Sequence, residues 1–387
     1  MSDWPSFTKE EARKVSNVLL SNKVNYWTGN EARKFESEFA AFSNVSYAVA
    51  VSNGTAALEL ALKAIGIKAG DEVIVTPRSF IASVSCVVLF GAKPVFADVD
   101  INSGNITRET IKKVISKKTK AIICVHLAGY PCDMVEIVRY ARSKSIKVIE
   151  DCSQAHGAKI KNKSVGSFGD IGTWSFCQDK IMTTGGEGGM VTTNSKNYWK
   201  TIWSYKDHGK NYFSVYKKIH PPGYRWLHDD FGTNMRMTEM QAAIGRIQLK
   251  RMKSWNAKRT RNANLILKTL KKYIGIVNLP DINSEYKHAW YKCNVKLNLH
   301  LLRQKKTTRE SIIQEFKRLG TDCFSGSCSE IYKELAFKKS KLRPPKIMKN
   351  AKILGDSTLT FLVHPTFSDR DLKKTCKNID KIFSKLA

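Results

Sequence analysis

One lysine stands in a setting that suits cofactor chemistry. Lys180 ends the run Ser175-Phe-Cys-Gln-Asp-Lys180 and is followed by the glycine-rich Thr184-Gly-Gly-Glu-Gly-Gly189. Such an amine is suited to form a Schiff base with an aldehyde. Upstream, the apolar run Val148-Ile-Glu-Asp151 predicts a buried strand that delivers the Asp151 carboxylate to a pocket. A lysine and an acid placed this way indicate pyridoxal phosphate, which also needs a phosphate cradle.

The phosphate cradle is predicted at Ser52-Asn-Gly-Thr-Ala-Ala57, between an apolar run and a helical pattern. Gly54 permits a tight turn, Thr55 supplies a hydroxyl, and the small Ala56 lets a phosphate approach the free N–H groups at the helix start. Ser175 supplies a second hydroxyl. Taken alone, the segment is a weak signal, because small residues are common at helix starts and an ordinary strand-to-helix turn has the same pattern.

Six segments, in this order along the chain, resemble the DegT/DnrJ/EryC1/StrS family of fold-type I pyridoxal phosphate enzymes, which aminate nucleotide-linked keto sugars. They are Ser52-Asn-Gly-Thr-Ala-Ala57, Gly70-Asp-Glu-Val-Ile74, Pro94-Val-Phe-Ala-Asp98, Glu150-Asp-Cys-Ser-Gln-Ala-His-Gly157, the Lys180 segment with its glycines, and Thr233-Asn-Met-Arg-Met-Thr-Glu-Met-Gln-Ala-Ala-Ile-Gly245. A minority of related enzymes carry histidine at the lysine position and perform dehydration. Lys180 therefore favours transamination.

The resemblance implies a role for each matching residue. Asp151 keeps the pyridine nitrogen protonated, although an acid here is also able to cap the next helix. Gln154 contacts the phenolic oxygen of the cofactor. Phe80 stacks on the pyridine ring, where the alternative is an ordinary core phenylalanine. Asn234 and Arg236 reach the cofactor phosphate and active site of a neighbouring subunit, which implies a homodimer with shared active sites.

Substrate contacts are also implied by the resemblance. In relatives, the segment containing Tyr26, Trp27 and Thr28 lines the sugar-nucleotide site, and Arg236 reaches toward it from the other subunit. The loop Cys323-Phe-Ser-Gly-Ser-Cys-Ser-Glu-Ile-Tyr332 lines the same site and offers Ser325, Ser327 and Tyr332. It differs from the version containing His-Tyr in many relatives, so the sugar contacts and the aminated carbon stay open.

The charge balance needs its own explanation. The chain has 65 Lys+Arg against 34 Asp+Glu, a formal net charge of +31. This excess is a property of many nucleic-acid-binding proteins. The basic residues are nevertheless spread over helical stretches and loops without a recognised nucleic-acid-binding motif, so we expect no specific nucleic-acid partner. A positive surface also attracts a nucleoside-diphosphate substrate.

The order of apolar and helical segments predicts an α/β fold. Buried strands over residues 73–76, 94–99, 121–127, 147–152 and 171–176 alternate with helices over 81–90, 108–115 and 134–143, which is typical of a largely parallel sheet. The resemblance adds a mixed, seven-stranded sheet. A long helix follows from residue 235 to 270, then a smaller α/β part. We predict a large cofactor-binding domain over residues 1–250, including the N-terminal segment, and a small C-terminal domain over 251–387.

Two further features bound the type of protein. No run of about 18 apolar residues occurs and no signal pattern opens the chain, which predicts a cytoplasmic protein without membrane insertion. The nine cysteines are scattered without C-x-x-C spacing, which indicates reduced thiols and neither a disulfide framework nor a metal site.

These observations lead to one main hypothesis. The chain is predicted to be an aminotransferase that moves an amino group from glutamate to a nucleoside-diphosphate 4-keto-6-deoxyhexose, in lipopolysaccharide, O-antigen or other deoxyamino-sugar biosynthesis. The alternatives are a 3-keto nucleotide-sugar aminotransferase, a sugar dehydratase on the same cofactor, and a non-catalytic regulator that binds nucleic acid.

Overall fold

A seven-stranded sheet forms the centre of the computed structural model, which describes residues 4–386. Its order is β1-β9-β8-β5-β4-β2-β3. The strands are β1 (Tyr47–Val51), β2 (Glu72–Val75), β3 (Lys93–Phe96), β4 (Thr119–Val125), β5 (Lys147–Asp151), β8 (Ile171–Ser175) and β9 (Gly189–Thr193).

The sheet is mixed, as the resemblance implied. Strands β8, β5, β4, β2 and β3 run parallel to one another, and β9 is antiparallel to both β8 and β1. Alternate side chains enter opposite apolar layers: Val73 and Val75 pack on one face, and Ile74 packs on the other. Because both faces are covered, the strands are apolar throughout, and this pattern made them recognisable in the sequence.

Helices before and around this sheet cover its two faces. They are α1 (Lys9–Leu20), α2 (Glu31–Phe42), α3 (Gly54–Ala64), α4 (Ala82–Leu89), α5 (Arg108–Lys112), α6 (Met134–Ser143), α7 (Lys196–Tyr205), α8 (Tyr212–Tyr216) and α9 (Glu239–Leu270). Single 3₁₀ turns occur at Leu127–Gly129, Lys271–Tyr273 and Ile331–Lys333.

The C-terminal part contains a second, four-stranded antiparallel sheet of order β10-β12-β14-β13. A separate three-stranded sheet, β11-β6-β7, pairs one strand of the C-terminal part, β11, with two strands from the first half of the chain. These strands are β6 (Lys159–Ile160), β7 (Lys163–Ser164), β10 (Val277–Asn278), β11 (Tyr286–Lys287), β12 (Cys293–Leu297), β13 (Cys323–Phe324) and β14 (Thr358–Phe361). The helices are α10 (Leu299–Gln304), α11 (Arg309–Arg318), α12 (Leu335–Lys339), α13 (Lys349–Ser357) and α14 (Asp369–Phe383).

The long helix α9 begins four residues later than predicted. Thr238 caps it, accepting a hydrogen bond from the N–H of Gln241 while the Gln241 side chain reaches back to Thr238. This reciprocal cap stops the helix from extending upstream. Over its 32 residues α9 packs against α1 and α2 and also against α14. The predicted domain boundary near residue 250 falls inside this helix, so the domain limits stay predictions.

A buried carboxylate anchors the end of β5. Glu150 is fully buried and accepts hydrogen bonds from the N–H groups of Gly166 (2.8 Å), Phe168 (2.7 Å) and Gly169 (2.7 Å). His126 contributes a fourth: its Nδ1 accepts from the N–H of Cys132, so Nε2 carries the proton that faces Glu150 at 3.1 Å. The nearby His126, Glu150 and Cys152 resemble a ligand cluster, but the imidazole and carboxylate are already used in this network.

No helix in the described part of the chain is long and apolar enough to cross a membrane. All nine cysteines have free thiols, and six of them are buried.

Replacing Glu150 by glutamine is expected to destabilise the fold. The glutamine amide accepts hydrogen bonds only at its oxygen, so its nitrogen would face buried N–H groups. Each buried N–H group left unpaired lowers the free energy of unfolding by about 1–3 kcal/mol. Urea unfolding should show a clearly lower midpoint for Glu150→Gln. The matched control is Glu136→Gln, in partly exposed ion pairs with Arg108 (3.2 Å) and Arg139 (2.5 Å), which should stay within about 1 kcal/mol of the wild type. Equal stability of the two variants would contradict the anchoring role.

Candidate active site

Two neighbouring parallel strands deliver polar residues to one edge of the central sheet. Asp151 ends β5 and Ser175 ends β8, and ligands of such sheets bind at the carboxyl ends of the strands. Glu150 and Asp151 point to opposite faces because they are adjacent in a strand. The Asp151 carboxylate is 4% exposed and accepts hydrogen bonds from the Ser83 hydroxyl (2.8 Å) and the N–H of Ser153 (3.1 Å). One buried carboxylate is therefore held at the sheet edge, and no basic side chain in the described part of the chain pairs with it.

Helix α3 begins against the end of β8. A Cβ on Gly54 would lie 2.6 Å from the Cβ of Ser175, so this approach requires glycine. Asn53 caps the helix through a bond from the N–H of Ala56 at 2.8 Å. The N–H groups of Gly54 and Thr55 have no partner within the helix, and they point out of its positive end. Ala56 thus contributes a small side chain, because its N–H is already used.

Eight of the nine predicted cofactor contacts surround one cavity of about 650 Å³, which we call the cofactor cavity. They are Gly54, Thr55, Ala56, Phe80, Asp151, Gln154, Ser175 and Lys180. The ninth, Asn234, is exposed and does not line it. The helix start, the buried acid and the lysine thus meet in one place although they are far apart in the sequence.

Two side chains of the cofactor cavity are oriented toward a planar ligand. Phe80 is 68% exposed, so it is not the core residue that the alternative interpretation required. A large exposed ring beside a buried acid is suited to stack on an aromatic ligand. Gln154 uses its carbonyl oxygen to accept from the N–H of Ala128 at 2.7 Å, which leaves its amide nitrogen as a donor.

Lys180 lies at the edge of the cofactor cavity, with its side chain 17% exposed. Its ammonium is 3.2 Å from the carboxylate of Asp179 and 5.3 Å from the ring centroid of Tyr291. Burial opposes ionisation of Asp179, but the Lys180 charge and the Tyr291 hydroxyl outweigh burial and lower the pKa of this carboxyl. Sequence reasoning missed Asp179 and Tyr291. Only the position of Asp179 beside the lysine could have signalled it.

A second cavity, also of about 650 Å³, opens on the other side of Lys180, and we call it the outer cavity. Of the residues predicted in the 323–332 loop, Ser327 lines the outer cavity, together with Phe324, Gly326 and Cys328. Ser325 is exposed outside the lining. Tyr332 is buried, and its hydroxyl donates to Glu330 at 2.6 Å. The structure therefore brings only Ser327 of this predicted set to the cavity.

The 323–332 loop is fixed to the turn that carries Phe80. The N–H of Ile331 donates to the carbonyl of Pro77 at 3.0 Å, and Nε of the buried Arg78 donates to the Ser329 hydroxyl at 3.0 Å. Burial lowers the pKa of Arg78 to about 10, so the guanidinium stays charged at neutral pH. These bonds hold the loop beside the mouth of the outer cavity.

The other predicted substrate residues lie away from both cavities of the same chain. Tyr26 is buried under the Lys206 ammonium, which is 3.8 Å from its ring centroid. Trp27 stacks on Tyr216 with centroids 6.1 Å apart, and Thr28 is exposed. The roles of these residues at a substrate site stay predictions.

Arg236 and Asn234 form a separate polar group. The guanidinium of Arg236 lies 2.5 Å from the buried carboxylate of Asp207, and the backbone of Asn234 pairs with that of Asp207. A bridge between Arg236 and Val51 places the segment at the end of β1. Neither predicted residue lines the two cavities around Lys180 in its own chain.

Comparison with known proteins identifies the family. The model of the DegT/DnrJ/EryC1/StrS aminotransferase family matches residues 5–380. The chain belongs to this family. It is 42% identical over 272 residues to GDP-perosamine synthase of Escherichia coli O157:H7, covering 70% of this chain and 71% of the relative. It is also 39% identical over 280 residues to the UDP-N-acetyl-3-dehydro-alpha-D-glucosamine 3-aminotransferase of Acidithiobacillus ferrooxidans, covering 72% of each.

Solved structures agree with this assignment. An aminotransferase from Psychrobacter cryohalolentis is 56% identical, with a TM-score of 0.98 over 100% of this chain and 99% of that one. The aminotransferases of this family depend on pyridoxal phosphate, and so does this aminotransferase. The cofactor cavity fits that molecule: two unpaired N–H groups of α3 suit a phosphate, Asp151 suits a protonated ring nitrogen, and Lys180 suits the aldehyde.

The attachment of the cofactor to Lys180 can be tested directly. Purified protein should show a visible absorbance band that borohydride bleaches, and peptide mass spectrometry should place the reduced adduct on Lys180 because no other lysine lines the cofactor cavity. Lys180→Ala should abolish the adduct, whereas Lys159→Ala, at a surface hairpin, should retain it. A stable adduct on another lysine in Lys180→Ala would contradict the assignment.

Proposed function

We propose that this aminotransferase moves the amino group of glutamate to a nucleoside-diphosphate 4-keto-6-deoxyhexose, in lipopolysaccharide, O-antigen or other deoxyamino-sugar biosynthesis. The observation that carries the proposal is the position of Lys180 between the cofactor cavity and the outer cavity. A substrate in the outer cavity can present its reacting carbon to the amine while the cofactor stays in its own compartment. Names of nucleotide-sugar enzymes among the relatives support the substrate class.

When bound, pyridoxal phosphate supplies an electron sink for the carbanion formed at the donor's α-carbon. In this proposal Asp151 holds the proton on the ring nitrogen, and Phe80 and the start of α3 fix the ring and phosphate. Lys180, as a free amine, moves the proton to and from the substrate carbon. A positioned base of this kind is worth about 10²–10⁴ in rate. The contacts of Lys180 with Asp179 and Tyr291 then limit the positions that its ammonium group can reach.

Proton transfer on both substrates gives two half-reactions at one lysine. Glutamate donates its amino group and leaves as 2-oxoglutarate, after which the keto sugar enters the same cavity and is aminated. Ping-pong kinetics are the expected signature. A dehydratase is disfavoured because the chain has Lys180 where the related dehydratases have histidine. A non-catalytic regulator would not need a lysine between two connected cavities.

The position of amination is a narrower proposal. Sugars with a keto group at C4 are common substrates in the family, which favours a product with the amino group at C4. The specific observation for the alternative is the relative named as a 3-aminotransferase of a 3-dehydro sugar, at 39% identity. The choice depends on which carbon the outer cavity presents to Lys180, and Ser327 with its neighbours in the loop forms that wall. A small misplacement of reacting atoms is costly in rate.

We further propose a homodimer with shared active sites. The segment from Phe213 to Phe231 exposes Phe213, Ile219, Tyr224, Trp226 and Phe231, each more than 60% accessible in the single chain. So many large exposed apolar groups in one segment indicate a contact surface. The adjacent Asn234 and Arg236 lie away from Lys180 of their own chain, which suits residues that serve the other subunit.

Isotope transfer tests the substrate. Protein given ¹⁵N-glutamate and the uridine-, thymidine- or guanosine-diphosphate form of a 4-keto-6-deoxyhexose should yield a product with the label on C4 by NMR. The 3-keto isomers serve as matched controls and should react much more slowly. Label on C3, or reaction of the 3-keto sugars alone, would replace the C4 assignment by the alternative and leave the aminotransferase activity intact.

Subunit mixing tests the shared site. Lys180→Ala and Arg236→Ala proteins should each be nearly inactive, and exchange of their subunits should restore activity because one of the two sites in a mixed dimer is intact. Mixing Lys180→Ala with Asp151→Asn is the control, since both changes fall in the same half of the site under this proposal. Activity that stays absent after verified exchange, or an active monomer in sedimentation, refutes the dimer.

A further inference from the structure

The outer cavity carries an unpaired cation that the sequence motifs do not include. Lys292 lines this cavity together with Lys180. The two cavities share Asp179 and Lys180 among their walls, so a molecule in the outer cavity meets the cofactor at this point. Within residues 4–386, the Lys292 ammonium forms no ion pair or hydrogen bond, and its ring contact is with Tyr291, at 4.9 Å from the centroid.

The acids near Lys292 do not neutralise it. Asp179 is already engaged, because Lys180 lies 3.2 Å away and the Tyr291 hydroxyl donates to it. Glu334 lines the cavity from its exposed rim. Behind the wall, Arg259 is fully buried and donates only to the carbonyls of Trp290 and Tyr291. The two lysines and two acids of the lining balance in number, and the Arg259 charge behind the wall leaves excess positive charge beside Lys292.

The fold holds Lys292 in place at the cavity wall. Its backbone N–H donates to the carbonyl of Ala128 at 3.3 Å, immediately before β12. Asn294, two residues on and therefore on the same face, also lines the cavity. The Thr360 hydroxyl donates to the side-chain oxygen of Asn294 at 2.7 Å, which leaves the Asn294 amide nitrogen as a donor. An ammonium and an amide donor thus stand side by side on a rigid strand.

Such a group stabilises an anion. Burial, together with the charges of Arg259 and Lys180, lowers the pKa of Lys292 to about 8, with Asp179 acting in the opposite direction. An unpaired ammonium that has lost part of its hydration gains most from an anionic partner. A charged hydrogen bond formed there is also stronger than one at the surface.

We propose that Lys292 binds the α-carboxylate of the amino donor, with the Asn294 amide as its second donor. The inference rests on the proposed function and names the residue that recognises the donor. Lys180 and Lys292 both lie within 5.3 Å of the Tyr291 ring centroid, so their targets are close together. In an amino acid the carboxylate is attached to the carbon that Lys180 must deprotonate. In a hexose nucleotide the diphosphate is attached at C1, across the sugar ring from a C4 carbonyl.

The test uses the first half-reaction of the holoenzyme, without any sugar. Bleaching of the visible band by L-glutamate, or by whichever amino acid bleaches the wild type fastest, gives the donor Kd and the limiting rate. Lys292→Gln should raise the donor Kd about ten- to a hundredfold, the range for a charged hydrogen bond. Binding of the nucleotide sugar to the aminated enzyme should change less than threefold. Lys287→Gln, the same charge change at an exposed position on β11, should alter neither.

The pH dependence separates binding from a merely structural role. The carboxylate binds the protonated ammonium, so wild-type donor affinity should be constant below pH 8 and fall about tenfold per unit above it. Lys292→Arg should keep donor affinity up to pH 10, because arginine stays charged. The groups that face Lys292 are Asp179, Lys180, Arg259, Tyr291 and His364, and they are unchanged in this variant.

Three results would overturn the proposal: an unchanged donor Kd in folded Lys292→Gln, a weakening confined to the nucleotide sugar, or equal weakening of both. If Lys292→Gln fails to retain the visible band, the comparison of Lys292→Arg with the wild type decides, and an identical alkaline limb in both proteins overturns it. If no keto sugar accepts the amino group, the proposed acceptor substrate is wrong. The test of Lys292 still gives a result in that case, because the donor half-reaction needs no sugar.

Discussion

The site depends on a buried carboxylate that has no basic partner among residues 4–386. Asp151 is held by two hydrogen bonds at the end of a parallel strand, and burying a charge in this way is costly unless a cation arrives. The protonated ring nitrogen of pyridoxal phosphate would be that cation when the cofactor is bound. The neighbouring Glu150 makes this arrangement possible, because its four hydrogen bonds on the opposite face fix the strand end.

Two cavities meeting at one lysine give the arrangement its chemical consequence. The cofactor cavity is formed partly by the ends of β5 and β8 and by the capped start of α3, and partly by loops that carry Phe80, Gln154 and Lys180. The outer one is formed partly by β12, β14 and the 323–332 loop, which the Arg78 and Ile331 bonds tie to the Phe80 turn. The cofactor cavity and this wall of the outer cavity are thus built from different parts of the chain.

The apolar pattern predicted five of the seven strands of the central sheet, because these strands are largely apolar and bounded by helical patterns. The segment of β1 was noted only as an apolar run, and β9, Gly-Met-Val-Thr-Thr, was not predicted because its glycine and threonines weaken that pattern. Sequence motifs also selected Gly54, Asp151 and Lys180, which the structure brings together around one cavity, and their contacts with the cofactor stay predictions. The short strands β6, β7 and β11 were missed, because two residues carry no periodicity.

The substrate side was much harder to predict. Tyr332 was expected at the sugar and instead packs in the core. The sequence does not distinguish the two positions, because an aromatic residue in a loop has no periodic pattern around it. Lys292 was missed for the opposite reason: it is one lysine among many in a basic chain, and only the three-dimensional structure shows that it is unpaired beside Lys180.

In the proposed reaction, donor and acceptor react in turn at Lys180. This order can be tested by measuring the keto acid released when the protein is mixed with glutamate alone. We expect close to one equivalent of 2-oxoglutarate per cofactor-loaded chain, released in a single burst that stops until a keto sugar is added. Keto acid that forms only when both substrates are present, or none from a fully loaded protein, would contradict it.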